Sequence, residues 1–582
     1  MATHSKAPLA LRVALIGALF ASGCQWTGCR SAPDRDGSAA PQRGGELVAS
    51  LRDEPAFYNR YVDNQASAET IALLTHARLV RVNRDTDEVE PMLAESWTSS
   101  NDGLLHTLKL RPNLRFSDGT PFTAADVLFT FRVLYDKTVN SSLGVAVRPG
   151  GKPLEVSASD AQTVVIRFPV PFAPGLRMLD YVPVLPRHKL ETALNEGRFR
   201  DAWKVGTPFA EIVGMGPFML SEHVAGQRVV LVRNPHYWRR DDRGNALPYL
   251  DKLTLALIPD QNTEALRVEA GEVDVMTNAD IRPEDYAAFR RASGQGRLRL
   301  IDAGVGVDPN MLWFNLRPTR APGKSWLDRR EFRQAISYAV DRTAIVNTVF
   351  LGEAVPVYGP VSPGNRTWYS DAAPKYEHNP ARARELLASI GLTDRNGDGT
   401  IEDASQAPVR FSILTQRGHT VRERTVAVVQ QHLRAVGIQV DVVGVDTKSL
   451  QQRTMQGDFE AIYYGVQASS LDPAMNPEFW FSSGYFHLWN PGQPSPATDW
   501  ERRIDELMHQ QTAARDLAER QRLMAEAQRI IGEEMPAVWF VVPKIVLAVS
   551  SRVVNPTPGL QIPQLLWSAD TLAVAGPPRS GS

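Results

Sequence analysis

Apolar and polar positions along this chain keep two rhythms. One has the period of a strand. Glu46-Leu47-Val48-Ala49-Ser50-Leu51 reads as a short strand, and His106-Thr107-Leu108-Lys109-Leu110 alternates as a half-buried one. The other has the period of a helix: Ile71, Leu74 and Leu79 predict a helix across residues 68–82. Thr123-Ala124-Ala125-Asp126 predicts a helix start, with Thr123 as cap and Asp126 as the acid of a capping box. Val127, Phe129, Phe131 and Leu134 follow as its apolar positions. Further helices are predicted over residues 328–350, 380–390, 421–436 and 499–534. They alternate with strands at 253–258, 409–414, 439–445, 459–464 and 538–549, and Pro/Gly-rich loops fall at 318–324 and 359–365. No fixed period suggests a repeat protein, and the alternation predicts an α/β fold of sheets covered by helices.

The first apolar run is of a different kind. Val13 to Phe20 follows His4, Lys6 and Arg12 and leads into Ala21-Ser22-Gly23-Cys24, the layout of an export signal. It is shorter than the roughly 20 residues a membrane span needs. The run resembles a bacterial lipoprotein box, although Ala21 stands where leucine is usual. That resemblance implies a signal peptide at 1–23 and acylation of the Cys24 thiol after cleavage. A plain secretory signal is the alternative, and both put the mature chain outside the cytoplasm. Residues 24–43 are rich in Ser, Ala, Pro, Asp, Gly and Arg and read as a flexible tether.

Composition narrows the function classes. Cys24 and Cys29 are the only cysteines in 582 residues, which rules out a disulfide framework or a zinc cluster. Sixty-four Lys and Arg against 65 Asp and Glu leave no basic footprint for nucleic acid. The chain lacks His-Glu-x-x-His, Gly-x-Ser-x-Gly, a phosphate-cradling Gly-Lys-Ser/Thr loop and Gly-x-Gly-x-x-Gly. Binding therefore leads over catalysis. Asp394, Asn396, Asp398 and Thr400 alternate as oxygen ligands around Gly399, as in a calcium loop. Position twelve is Ser405 instead of Glu, with Glu402 and Asp403 nearby. A structural calcium site and an Asn-Gly/Asp-Gly turn are both open readings, and no other cofactor is indicated.

Longer motifs carry a resemblance. Pro91-Met92-Leu93-Ala94-Glu95-Ser96-Trp97, Asn101-Asp102-Gly103 and Phe116-Ser117-Asp118-Gly119-Thr120-Pro121-Phe122 through Val127 closely resemble the signature of extracellular solute-binding proteins, family 5. Gly214-Met215-Gly216-Pro217-Phe218, Asn234-Pro235-His236-Tyr237-Trp238, Gly271-Glu272-Val273-Asp274-Val275 and the block from Phe332 to Arg342 agree in order. The resemblance implies a two-lobed periplasmic-binding-protein-like clamp of three domains. Domain I would comprise 44–75, 205–305 and 535–582, the family-specific domain II 76–204, and the opposing domain III 306–534. It also implies a monomeric, lipid-anchored, periplasmic subunit of an ABC importer. That subunit would capture an oligopeptide-like or other small polar solute for a membrane permease driven by a cytoplasmic ATPase. A sensing protein for a membrane receptor, an oligosaccharide binder and, last, an extracellular hydrolase are the competing readings.

In peptide-binding members of this family, a Trp-Gly-Trp-x-Ala-Asp segment follows a late strand, and its aspartate pairs with the peptide ammonium. Here Gly465-Val466-Gln467-Ala468-Ser469-Ser470-Leu471-Asp472 follows the strand at 459–464, so Ser469 takes the aspartate's place and Asp472 is a displaced substitute. Gln467, Ser469 and Asp472 are therefore candidate ligand contacts. Trp480, His487 and Trp489 join them from the aromatic stretch at 479–490, whose rings suit a sugar or a peptide backbone. Tyr58, Asn59 and Arg60 follow the first strand, and Asn315 is the candidate on the opposing lobe.

Overall fold

The computed structural model describes residues 43–277, 281–317, 324–466 and 471–575. The expected signal segment, Cys24 and the expected tether up to residue 42 lie outside them. Glu46–Leu51 is a strand that pairs in parallel with Lys252–Leu257, and the sheet continues antiparallel through Arg228–Arg233 to Phe218–Val224. Val275 bridges both Ala49 and Val549, joining this sheet to a three-stranded one built on Val541–Ser550 with Leu298–Val305 and Ala354–Pro356. A separate antiparallel sheet orders Ala94–Ser99, Leu105–Leu110, Thr163–Arg167 and Glu155–Asp160. The helix Ala124–Tyr135 has the expected capping box on Thr123 and Asp126. It buries Val127, Phe129, Phe131 and Leu134 in one apolar cluster with Leu108, Val164, Leu47 and Leu253, so these sheets form one body.

The second body is a five-stranded sheet with helices on both faces. Arg410–Gln416 runs parallel to Gln439–Val445 and Ala461–Tyr464, followed by antiparallel Met311–Phe314 and Ala537–Trp539. Strand alternation divides its core. Leu312 and Phe314 pack with the helices Arg330–Ala339 and Thr420–Arg434, while Met311 and Trp313 pack with Asp499–Ala513 and Leu517–Glu534. The chain passes between the bodies at Gly306–Asn310 and at Phe540, which separates Ala537–Trp539 from Val541–Ser550, and between its helices the second body also reaches over with Ala354–Pro356 to pair with the start of Val541–Ser550.

Four runs differ from their predicted form. The helix expected over 68–82 is Ala66–Thr75 only; the backbone turns extended at His76, and Val80–Val82 pairs with Val89–Pro91. Gly216 donates its N–H to the Thr75 carbonyl at 2.8 Å, and a Cβ on Gly214 would stand 2.0 Å from the same oxygen, so a distant segment fixes this end. The 328–350 run breaks at Val340, where Asp341 caps a new helix, Arg342–Thr348. The 499–534 run breaks before Asp516, which caps its second half. The 538–549 run is two strands in two sheets. The breaks at Asp341 and Asp516 are polar caps that an apolar count passes over, and the other two are set by partners distant in sequence.

Candidate functional site

A cavity of about 910 Å³ opens between the two bodies. The first body supplies Arg60, Glu69, Arg84 and the segment from Leu560 to Gln564. The second supplies Asn310, Gln416 and the start of the helix Thr420–Arg434, and Val542 to Ile545 form part of the wall where the bodies join.

On the first wall, Glu69 is shared by two cations. Arg60 Nε donates to its Oε2, and Arg78 Nη2 stands 3.0 Å from Oε1. Burial alone would raise the Glu69 pKa, but Arg78 and Arg60 overcome it and hold the carboxylate below its ordinary range. Arg84 is held differently. Its Nη1 donates to the carbonyls of Gln561 at 3.3 Å, Ile562, and Pro563 at 3.5 Å. Its stem lies against Gly559, where an added Cβ would approach the Arg84 Cβ to 2.7 Å. Burial pushes the pKa of its guanidinium down, with Asp180 and Glu69 as the main opposing influences.

On the second wall, Arg422 lies over the Tyr464 ring at 4.5 Å. It donates from Nε to Asn310 Oδ1 at 2.9 Å and from Nη1 to Gln416 Oε1 at 2.7 Å. Both amide oxygens are thereby taken up by Arg422. Gly418, at φ +81°, turns the chain from the strand into the helix, whose N-terminal turn carries a positive partial charge. The loop at the carboxyl end of the parallel strand Arg410–Gln416 is thus part of the cavity wall, where open α/β sheets place ligands.

Of the residues expected to touch a ligand, Arg60 lines this cavity. Tyr58 is buried, with its hydroxyl 2.5 Å from His223 Nδ1, and Asn59 accepts the Tyr61 N–H and caps its own turn. Asn315 is consumed inside the second body, donating to the carbonyls of Gly457 and Phe459, each at 2.8 Å. Asp472 is buried and forked onto Arg520 at 2.6 and 2.9 Å. His487 and Trp489 both hydrogen-bond Glu501 Oε1, at 2.9 and 3.1 Å, and Trp489 stacks on Trp313. Burial keeps the His487 pKa low despite that carboxylate. None of these six side chains lines the cavity; each makes hydrogen bonds or ring contacts within the protein, and His487 Nδ1 is buried without a partner. Trp480 is 5% exposed and lines a recess of about 60 Å³ with Trp368 and Phe479; the recess shares Val307 and Asp308 with the main cavity. Gln467 and Ser469 lie outside the described residues.

In the 394–402 loop, carboxylate oxygens of Asp394, Asp398 and Glu402 lie within 4.8 Å of one another. Asn396 turns its amide nitrogen toward Asp398 and Glu402, at 3.2 and 2.9 Å, and Asp394 accepts the N–H groups of Gly397 and Gly399. Thr400 gives its N–H to Asp398 at 2.8 Å. The buried acid is Glu402, at the loop's ninth position. This loop is outside the cavity wall.

The sequence reading missed Arg84, Asn310, Gln416 and the 560–564 segment. Gln416 had a legible signal, since Gln416-Arg417-Gly418-His419-Thr420 joins a predicted strand to a predicted helix. Arg84 had none, because its partners are some 480 positions away.

A crevice between two α/β bodies defines a solute-binding clamp. The chain belongs to the bacterial extracellular solute-binding proteins, family 5 Middle, which it matches over residues 88–487. It is a binding protein of the kind that serves ABC transporters, not an enzyme. It is 26% identical to a probable ABC transporter-binding protein of Deinococcus radiodurans over 533 residues, 88% of this chain and 89% of that one. It is 27% identical to the oligopeptide-binding protein AppA of Bacillus subtilis, over 81% and 82% of the two chains. The solved structure of that AppA, in complex with a nonapeptide, superposes with a TM-score of 0.69 at 25% identity, covering 92% of this chain and all of the other. Among the described residues, no helix is long and apolar enough to cross a membrane.

Proposed function

We propose that this chain is the cargo-capturing subunit of an ABC importer. It takes an oligopeptide-like or other small polar solute into the cavity and hands it to a membrane permease coupled to a cytoplasmic ATPase. It acts as a monomer in the periplasm, held to the membrane by lipid on Cys24. The observation that carries this reading is the cavity of about 910 Å³ between the two bodies. A solute touching both walls stabilises the closed form by its differential affinity for it, and closure creates the shape a permease distinguishes. The likeness to an oligopeptide-binding protein supports a peptide-like cargo.

The test is a thermal and calorimetric titration of the mature chain with tri- to pentapeptide mixtures and neutral oligosaccharides. A binder at a concentration one hundred times its Kd is expected to add about 2.7 kcal/mol to the native state. No shift and no heat from any of these pools would overturn the assignment.

A further inference from the structure

We propose that the solute carries a carboxylate or a similar oxyanion, and that Arg84 is the residue that selects it. The inference rests on the reading of the cavity as the solute site and names the class of solute.

The charged groups of the wall are mostly spoken for. Arg60 pairs with Glu69, Arg282 with Asp285 at 2.7 Å, and Lys544 lies 3.7 Å from Glu353. Arg84 lines the same cavity and has no carboxylate within 4 Å among the described residues. Its immediate neighbourhood holds three guanidinium groups, those of Arg60, Arg78 and Arg84, against the carboxylates of Glu69 and Asp180. One positive charge is left over. Glu284 and Asp308 also line the cavity, Glu284 exposed to water and Asp308 half-buried in the 306–310 passage, and neither is paired with Arg84.

The guanidinium's geometry says what would meet the spare charge. Only Nη1 is used, and it is fixed by three consecutive carbonyls that also line the cavity. The Nε–Nη2 edge is left without a protein acceptor among the described residues. That edge is the planar fork that takes a carboxylate side-on with two parallel hydrogen bonds. The same chain uses it so elsewhere: Arg410 grips Asp441 through Nε and Nη2 at 2.7 Å each, and Arg522 grips Glu519 at 2.9 and 2.8 Å. At Arg84 the fork is set, its stem is locked against Gly559, and the acceptor is what the solute brings. The opposite wall agrees in sign. Arg422 engages the oxygen of Asn310, which leaves the amide N–H groups as that residue's free donors.

The experiment compares one set of tri- to pentapeptides as free acids and as C-terminal amides, by calorimetric titration of the wild-type chain and of R84Q and R84K. Wild type should bind the acids at least tenfold more tightly than the amides. R84Q should erase that preference, so that acids and amides bind alike, and R84K should retain part of it, because an ammonium keeps the charge but not the fork. Equal affinity for acids and amides in the wild type would overturn the inference while leaving solute capture intact. So would an R84Q or R84K variant that keeps the full preference. The wild-type comparison and R84K stand even if R84Q loosens the 561–563 segment and fails to fold. If neither acids, amides nor neutral oligosaccharides bind the wild type, the capture reading falls and the inference with it.

Discussion

Residues that look like ligand contacts in the sequence can be indistinguishable from residues that hold a core together. His487 and Trp489 carry the side chains expected of a sugar or peptide site, yet their partner is Glu501, the capping-box acid of the helix that follows. Asp472 is likewise answered by Arg520, 48 positions later. Buried polar groups must be paired wherever they are, so residue type alone cannot separate the two roles. His76 illustrates the same burial with a measurable result. Desolvation first, and Arg78 second, push its pKa down to about 3, and its Nε2 has no hydrogen-bond partner. The unfolded chain therefore binds a proton near pH 6.5 that the folded chain refuses. Stability is lost as pH falls below that value, by about 1.4 kcal/mol per unit from this group. Denaturant titrations should show His76→Phe losing about 2 kcal/mol less than wild type between pH 7 and pH 5.

At the scale of elements, local signals were legible where the chain's own neighbours decide the conformation. The cap at Thr123 is such a case. Replacing it with alanine should cost about 1 kcal/mol in denaturant unfolding while leaving solute affinity unchanged, because the helix it starts lies in the first body's core, away from the cavity. The strands Glu46–Leu51 and Gln439–Val445 were also readable, as short apolar or alternating runs with clear ends. What could not be read was where a distant segment overrules a local pattern. Leu79 continues the helical spacing, but the 214–216 backbone pressed against Thr75 leaves no room for another turn. The strand pairing of Val538 and Val549 in different sheets is equally a property of their partners.

For the whole molecule, the class of fold was legible from the order of motifs, while the cavity was not, because its two walls are contributed by parts of the chain hundreds of positions apart. The joint between the bodies is tightly built. Gly306 donates its N–H to the Pro543 carbonyl at 2.9 Å, and a Cβ at Gly306 would come within 2.8 Å of that oxygen. Gly306→Ala should therefore force the two passages apart. The expected outcome is about 1–3 kcal/mol of destabilisation together with a weakened response to the peptide pools, read in one thermal-shift series. A normal response in that variant would show that the passages tolerate displacement.

The strand Val541–Ser550 begins at one passage, and its first residues, Val542 to Ile545, are themselves cavity wall. A change there acts on the grip and on the joint at once. How tightly the cargo is held and how fast it is let go are consequently set by the same few residues, so selection for a stronger scavenger would tend to produce a slower one.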